Sequence, residues 1–171
     1  QNLFHFILVD EYQDINSIQQ KWLEYLYQGH KNICCVGDDD QSIYSWRGAD
    51  VTNLLEFKKN FNKPKIIRLE QNYRSTKNIL ECASILIDKN KNRYGKKLWS
   101  ENETGDKIQI NGFWETKEEA IHTSDQIEQL INNKVALSEI AILFRVAAHT
   151  RSFEDRLISI GLPYKIIGGL R

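Results

Sequence analysis

The sequence predicts an α/β fold built on a parallel or mostly parallel sheet. Short apolar runs alternate with segments of helical period along the chain, which is the order that parallel sheets require. The first run, FHFILV at residues 4–9, is almost continuously apolar, as a strand buried on both faces would be. The composition is that of an ordinary globular chain, with 41% hydrophobic and 27% charged residues among 171. No run approaches the ~18–20 apolar residues of a membrane span, and no signal-peptide pattern opens the chain. A membrane partner is therefore not expected. Lys plus Arg and Asp plus Glu are both 23, so the formal net charge is zero. Any binding to nucleic acid must then come from a local patch rather than from bulk charge.

Each element has its own local signal. Asn16 and Gln19 have capping-box spacing, and Ile18, Trp22, Tyr25 and Leu26 recur behind them at helical spacing. Residues 32–36 (NICCV) form a second strand closed by Gly37, and a helix is expected over 51–61. Asn62-Lys63-Pro64 is the clearest break, because proline pushes its predecessor out of helix. A strand over 66–69 and a helix over 77–87 follow, the helix with Ile79, Leu80, Ala83, Leu86 and Ile87 on one stripe. Residues 89–105 are polar and irregular, and 108–113 alternate like a strand. Thr116 and Glu119 have capping-box spacing before another helix, and 140–144 form an apolar strand. The last helix stops at Gly161 with Pro163 beyond it, ahead of a final strand over 164–167. The break at Pro64 divides the chain into two α/β portions, 1–62 and 63–171, neither complete.

From the absence of methionine and the opening at Gln1, the sequence is expected to be an internal piece of a longer protein. Cysteines number three, with Cys34 and Cys35 expected on opposite faces of a strand, and no zinc-ligand spacing joins them to His5, His30, His122 or His149. They are expected to be reduced core thiols, consistent with a cytoplasmic location.

Three segments carry chemistry. In ILVDEYQD an apolar strand delivers Asp10 and Glu11 at its C-terminal end, where open α/β sheets bind ligands. Asp10 there suits Mg²⁺, and Glu11 the deprotonation of an attacking water; acids that merely cap a strand fit the octapeptide as well. In VGDDDQSIYSWRGAD, Gln41 can sense a phosphate, while Tyr44, Trp46 and Arg47 supply faces that stack on single-stranded bases. Core aromatics above a solvated turn remain the alternative. Three successive aspartates beside nucleic acid also need a metal or a paired arginine to offset them. In LEQNYRST a strand leads into a Ser/Thr-capped helix, with Tyr73 able to stack on a base and Arg74 able to reach a γ-phosphate. Taken alone, such a Tyr-Arg pair is more often structural.

Together, DEYQD, GDDDQSIYSWRGAD and LEQNYRST resemble motifs II, III and IV of superfamily 1 helicases of the UvrD/Rep/PcrA group. Residues 140–169 (IAILFRVAAHTRSFEDRLISIGLPYKIIGG) resemble the segment that follows in that group, so nearly the whole chain is covered in order. Asp40 and Trp46 favour this group over the recombination helicase–nucleases. The resemblance implies parts of two RecA-like, P-loop NTPase-type domains and an ATP-dependent helicase moving 3′-to-5′ on DNA in repair or replication. It implies Mg²⁺ on Asp10, catalysis by Glu11, Gln41 and Arg74, and nucleotide contacts from Asp10, Gln41, Tyr73 and Arg74. It also implies DNA contacts from Tyr44, Trp46, Arg47 and Arg145, with single strands and single/double-strand junctions as partners.

Two substitutions depart from the group: Ile15 stands where Thr is usual, and Ala147 replaces a polar side chain. No G-x-x-x-x-G-K-[ST] occurs, so the piece alone is expected to be inactive without the P-loop segment and the C-terminal remainder of its chain. An inserted accessory domain is expected to begin near Gly168 to Arg171. The basic residues Lys89, Lys91, Arg93, Lys96 and Lys97 form either a solvated loop or a phosphate-tracking patch. Two rival readings are a non-catalytic nucleic-acid-binding module and a metal-dependent nuclease using Asp10, Glu11 and the three aspartates at 38–40.

Overall fold

Two strands, β1 (Ile7–Val9) and β2 (Ile33–Cys35), pair in parallel with Ile7 opposite Ile33 and Val9 opposite Cys35. The 14-residue helix α1 (Ser17–His30) makes the crossover between them. A computed structural model supplies these coordinates and describes residues 4–168. The expected insertion point at Gly169, Leu170 and Arg171 therefore lies outside the described residues. The chain folds as two compact units, 1–108 and 109–171. The first runs past the break at Pro64.

In the first unit Tyr12, Ile15, Leu23 and Phe61 form the core, with Tyr27 and Phe57 packed against them. Edge-on ring pairs fix that packing: Tyr12 meets Phe57 at 5.5 Å and Tyr27 meets Phe61 at 5.0 Å. The expected capping box forms. Asn16 Oδ1 accepts from the N–H groups of Ile18 and Gln19, and Gln19 Oε1 accepts from Asn16 N–H at 2.9 Å. The face that α1 buries is not the expected one, however. Gln20 and Leu23 are buried, whereas Ile18 is 79% exposed and Trp22 is also exposed. Tyr12 donates its hydroxyl to Gln20 Oε1, and that bond turns a polar residue inward. β1 is shorter than expected, and Leu8, on the side away from the core, is 81% exposed. Cys34 and Cys35 do point oppositely. Cys35 packs on the core, where burial and then its neighbour Cys34 push its thiol up to about 12. Cys34 and Cys82 are free and exposed rather than core thiols.

The single helix expected over 51–61 is two short ones, α2 (Thr52–Leu55) and α3 (Phe57–Asn60), parted at Glu56. The Tyr94 hydroxyl reaches the carbonyls of Leu54 (3.0 Å) and Leu55 (2.9 Å), oxygens that a continuous helix would use for its own ladder. Residues 66–69 form no strand; a lone parallel bridge joins Gln71 to Trp99 instead. Helix α4 (Lys77–Ile87) keeps its expected bounds, although Leu80 is buried while Ile79 and Leu86 are exposed. The Thr76 side chain makes no capping bond. The carbonyls of Glu103 and Thr104 accept from the Lys77 and Asn78 N–H groups in its place.

The second unit is built on α5 (Thr116–Asn132) and α6 (Arg151–Ser159). Ala120, Ser124 and Ile127 of α5 and Phe153 and Leu157 of α6 are its buried residues. Arg156 Nε donates to Ser124 Oγ at 2.9 Å, which satisfies a hydroxyl that is otherwise enclosed. Thr116 is the first helical residue and Glu115 the cap, so the expected Thr116–Glu119 box does not form. Residues 108–113, 140–144 and 164–167 are not in strands. Side-chain pattern alone does not make a strand, which also needs a neighbour to complete its hydrogen bonds.

Gly105 has φ +70°, and a Cβ there would lie 2.6 Å from the Thr76 side chain at the start of α4. Gly105→Ala is expected to destabilise the first unit by about 1–3 kcal/mol, measured by urea unfolding. An unchanged midpoint would show that this contact does not hold the loop.

Candidate active site and nucleic-acid surface

The parallel register places the C-terminal ends of β1 and β2 side by side. Val36 N–H donates to Val9 O at 2.8 Å, and Tyr12 N–H donates to Val36 O at 2.9 Å. The loop holding Asp10 and Glu11 is thereby stitched to the loop that begins at Gly37. Asp10 is exposed, and its Oδ1 accepts from the Glu11 N–H at 2.9 Å. Glu11 has left-handed backbone angles, φ 50° and ψ 44°, an arrangement that costs a side-chain-bearing residue about 1–2 kcal/mol. Its Oε2 accepts from Gln13 Nε2 at 2.7 Å. Gln13 is 1% exposed, and its Oε1 accepts from the Asp38 N–H at 3.0 Å.

Asp38 organises the second loop. Its Oδ1 accepts from the Asp40 N–H and from Lys96, and its Oδ2 accepts from Gln41 Nε2 at 2.7 Å. Burial pushes the Asp38 carboxyl up, but the bonds from Lys96 and Gln41 outweigh burial and hold it below its ordinary value. Arg93 grips Asp40 with two bonds, Nε to Oδ1 at 2.9 Å and Nη2 to Oδ2 at 2.7 Å, and also reaches Asp88 at 2.6 Å. Lys96 Nζ lies 3.8 Å from Asp39 and 3.4 Å from Asp40 as well. The aspartate triplet is therefore offset by a guanidinium and an ammonium. Lys96 thus lies within 4 Å of all three carboxylates, whose oxygens come within 4.8 Å of one another. The basic stretch divides accordingly: Arg93 and Lys96 face these acids, while Lys89, Lys91 and Lys97 are exposed.

Beyond Gln41, the Arg47 guanidinium sits 5.1 Å from the Tyr44 ring centre and 4.6 Å from that of Trp46. Trp46 is 69% exposed, so the stack is a surface platform and not part of a core. Tyr73 is exposed, with its hydroxyl on Gln71 Oε1 at 2.7 Å. Arg74 is exposed and its backbone N–H is held by Asn72 Oδ1 at 2.9 Å. No side-chain partner of Arg74 occurs among the described residues. Glu11 and Gln41 are thus joined by hydrogen bonds, whereas Tyr73 and Arg74 bond only within their own turn and to nearby Asn102. In the second unit, Arg145 lines a cavity of about 290 Å³ with Thr116, Glu119, His149 and Phe153.

Sequence reasoning missed Gln13 and Tyr94, and although it called for a metal or a paired arginine on the aspartates it did not identify Arg93 and Lys96 as the partners. Three consecutive acids and a separate stretch of five basic residues were the available signal for that pairing. Replacing Lys96 with Met is expected to destabilise the first unit by about 1–3 kcal/mol at pH 7. Because the Asp38 value is depressed on folding, its contribution is present above the ordinary carboxyl range and lost as pH falls through the lowered value. Chemical unfolding from pH 7 to pH 3 should therefore show the two proteins converging in acid. A gap independent of pH would rule the pairing out as its source.

Residues 1–62 match the UvrD/REP helicase N-terminal domain, and residues 67–171 match the UvrD-like helicase C-terminal domain. A probable DNA helicase II homolog of Rickettsia conorii is 54% identical over all of this chain and 26% of its own length. DNA helicase II of Escherichia coli is 45% identical over 98% of this chain and 23% of its own. The ATP-dependent DNA helicase PcrA of Bacillus subtilis is 46% identical over the whole chain and 23% of its own length. The chain spans about a quarter of the length of these relatives. Matched by the two domains along nearly all of its residues, it belongs to the UvrD-like helicase family.

Proposed function

We propose that this chain is a segment of an ATP-dependent DNA helicase that moves 3′-to-5′ on single-stranded DNA and unwinds duplexes in repair or replication. One observation carries the reading. Glu11, at the tip of β1, is hydrogen-bonded through Gln13 and Asp38 to the loop that presents Gln41 and then the Tyr44–Trp46–Arg47 platform. Hydrolytic and base-gripping groups on two adjoining loops tied by hydrogen bonds are what mechanical coupling requires. The relatives' names, DNA helicase II and ATP-dependent DNA helicase PcrA, support the same reading.

Residues 1–62 are then the end of a first RecA-like domain and 63–171 the start of a second, with an accessory domain following; the bounds of the two family matches support that division. Asp10 suits Mg²⁺, a cation that prefers hard oxygen ligands, because it is an exposed carboxylate with only Oδ1 engaged. When bound, Mg²⁺ neutralises charge on the phosphates. Glu11 orients the attacking water and takes its proton as the γ-phosphoryl group leaves ADP. Gln41 and Arg74 contact the γ-phosphate, and the open face of Tyr73 stacks on adenine. Tyr44, Trp46, Arg47 and Arg145 hold DNA, with strand junctions as the working substrate. The P-loop segment and the C-terminal remainder of the chain complete the ATP site. The cytoplasm, which keeps thiols reduced, suits the three free cysteines. No described helix is long and apolar enough to cross a membrane.

In the full-length protein, Arg74→Ala is expected to lower kcat for ATP by about 10³-fold or more while nucleotide binding changes little. Trp46→Ala should instead weaken single-strand affinity by about 1–3 kcal/mol. Stopped-flow hydrolysis and fluorescence anisotropy separate the two, and near-normal hydrolysis by the Arg74 variant would reject its assignment. The 171 residues alone should bind ATP no better than about 1 mM, for want of a phosphate-cradling loop. Micromolar binding by isothermal titration would contradict this.

A further inference from the structure

We propose that Gln13 is a positioning residue for hydrolysis, tying the Glu11 carboxylate to the backbone of the loop that carries Gln41. The inference rests on the reading of Glu11 as the water-activating group. Gln13 is almost wholly enclosed, so both ends of its amide need partners, and both have them. Nε2 donates to Glu11 Oε2 at 2.7 Å, and Oε1 accepts from the Asp38 N–H at 3.0 Å. The amide cannot be turned round. A backbone N–H only donates and a carboxylate only accepts, so each partner fixes its own end.

Two further features point the same way. A Cβ on Gly37 would lie 2.9 Å from Gln13 Oε1 and 3.3 Å from Gln13 N, so position 37 must stay bare for the amide to reach the loop. Glu11 also holds a left-handed backbone, and the Gln13 bond fixes where that unusual conformation aims the carboxylate. The tie continues past Asp38, whose Oδ2 holds Gln41 Nε2 at 2.7 Å. Displacement of the loop by DNA on the Tyr44–Trp46–Arg47 platform therefore reaches Glu11 through a single buried side chain. Asn at position 13 is a methylene too short to span both partners. Glu keeps the acceptor for the loop but loses the donor to Glu11, and Leu loses both.

The test uses the full-length protein with Mg-ATP and oligo-dT, comparing Gln13→Glu, Gln13→Leu, Gly37→Ala and the control Glu11→Gln. Misplacing a reacting group by about 1 Å can cost on the order of 10²-fold. Gln13→Glu is therefore expected to lower DNA-stimulated kcat by about 10-fold or more, with KM for ATP within about twofold. Gly37→Ala should fall in the same direction with Gln13 intact. If Gln13→Leu does not fold, Gln13→Glu and Gly37→Ala decide the matter. Wild-type kcat in folded Gln13→Glu, with Glu11→Gln inactive, overturns the positioning role and leaves the role of Glu11 standing. A KM that rises as far as kcat falls also overturns it, because general loosening of the site does that. Full turnover by Glu11→Gln removes the underlying reading itself.

Discussion

Parallel pairing of two three-residue strands is the constraint on which the first unit depends. Because Val9 lies opposite Cys35, both chains leave the sheet at the same level, and their next residues must share one space. The bonds from Val36 to Val9 and from Tyr12 to Val36 carry that register beyond the strands. Asp10, Glu11 and the loop from Gly37 to Gln41 become neighbours for this reason, although 27 positions separate Glu11 from Asp38 in sequence. Tyr12 turns inward as the largest core side chain, which leaves Glu11 and Gln13 on either side of a fixed point.

Charge balance within that space is the second constraint. Three adjacent carboxylates repel one another. Arg93 and Lys96 offset that repulsion, and the Tyr94 between them donates its N–H to Asp39 Oδ2 at 2.7 Å. The same tyrosine parts α2 from α3 with its hydroxyl. A segment of irregular appearance thus acts as a strap across the loop, and it extends the first unit well past the proline break.

Local signals were legible where a short stretch of chain decides the outcome. The Asn16–Gln19 cap and the bounds of α4 depend on residues within one helix, and both stand as read. Alternation over 108–113 and the apolar run over 140–144 each led to an expected strand that does not form, because neither could supply a partner strand. The apolar spacing of Ile18, Trp22 and Tyr25 misled, because a bond from Tyr12 to Gln20 selects the buried face of α1. Trp46 lies at the surface, and its contact with Arg47 is local in sequence.

The sequence by itself therefore determined the first strand–helix–strand unit, the two charged strand ends and the family to which their motifs belong. Spacing within a few residues encodes all three. Only the tertiary structure decided that Gln13 bridges Glu11 to Asp38, and that Arg93 and Lys96 serve the aspartates instead of facing solvent. Those contacts join groups 25, 53 and 58 positions apart. No local periodicity reports them, because distant side chains become partners only once the strands have set the register.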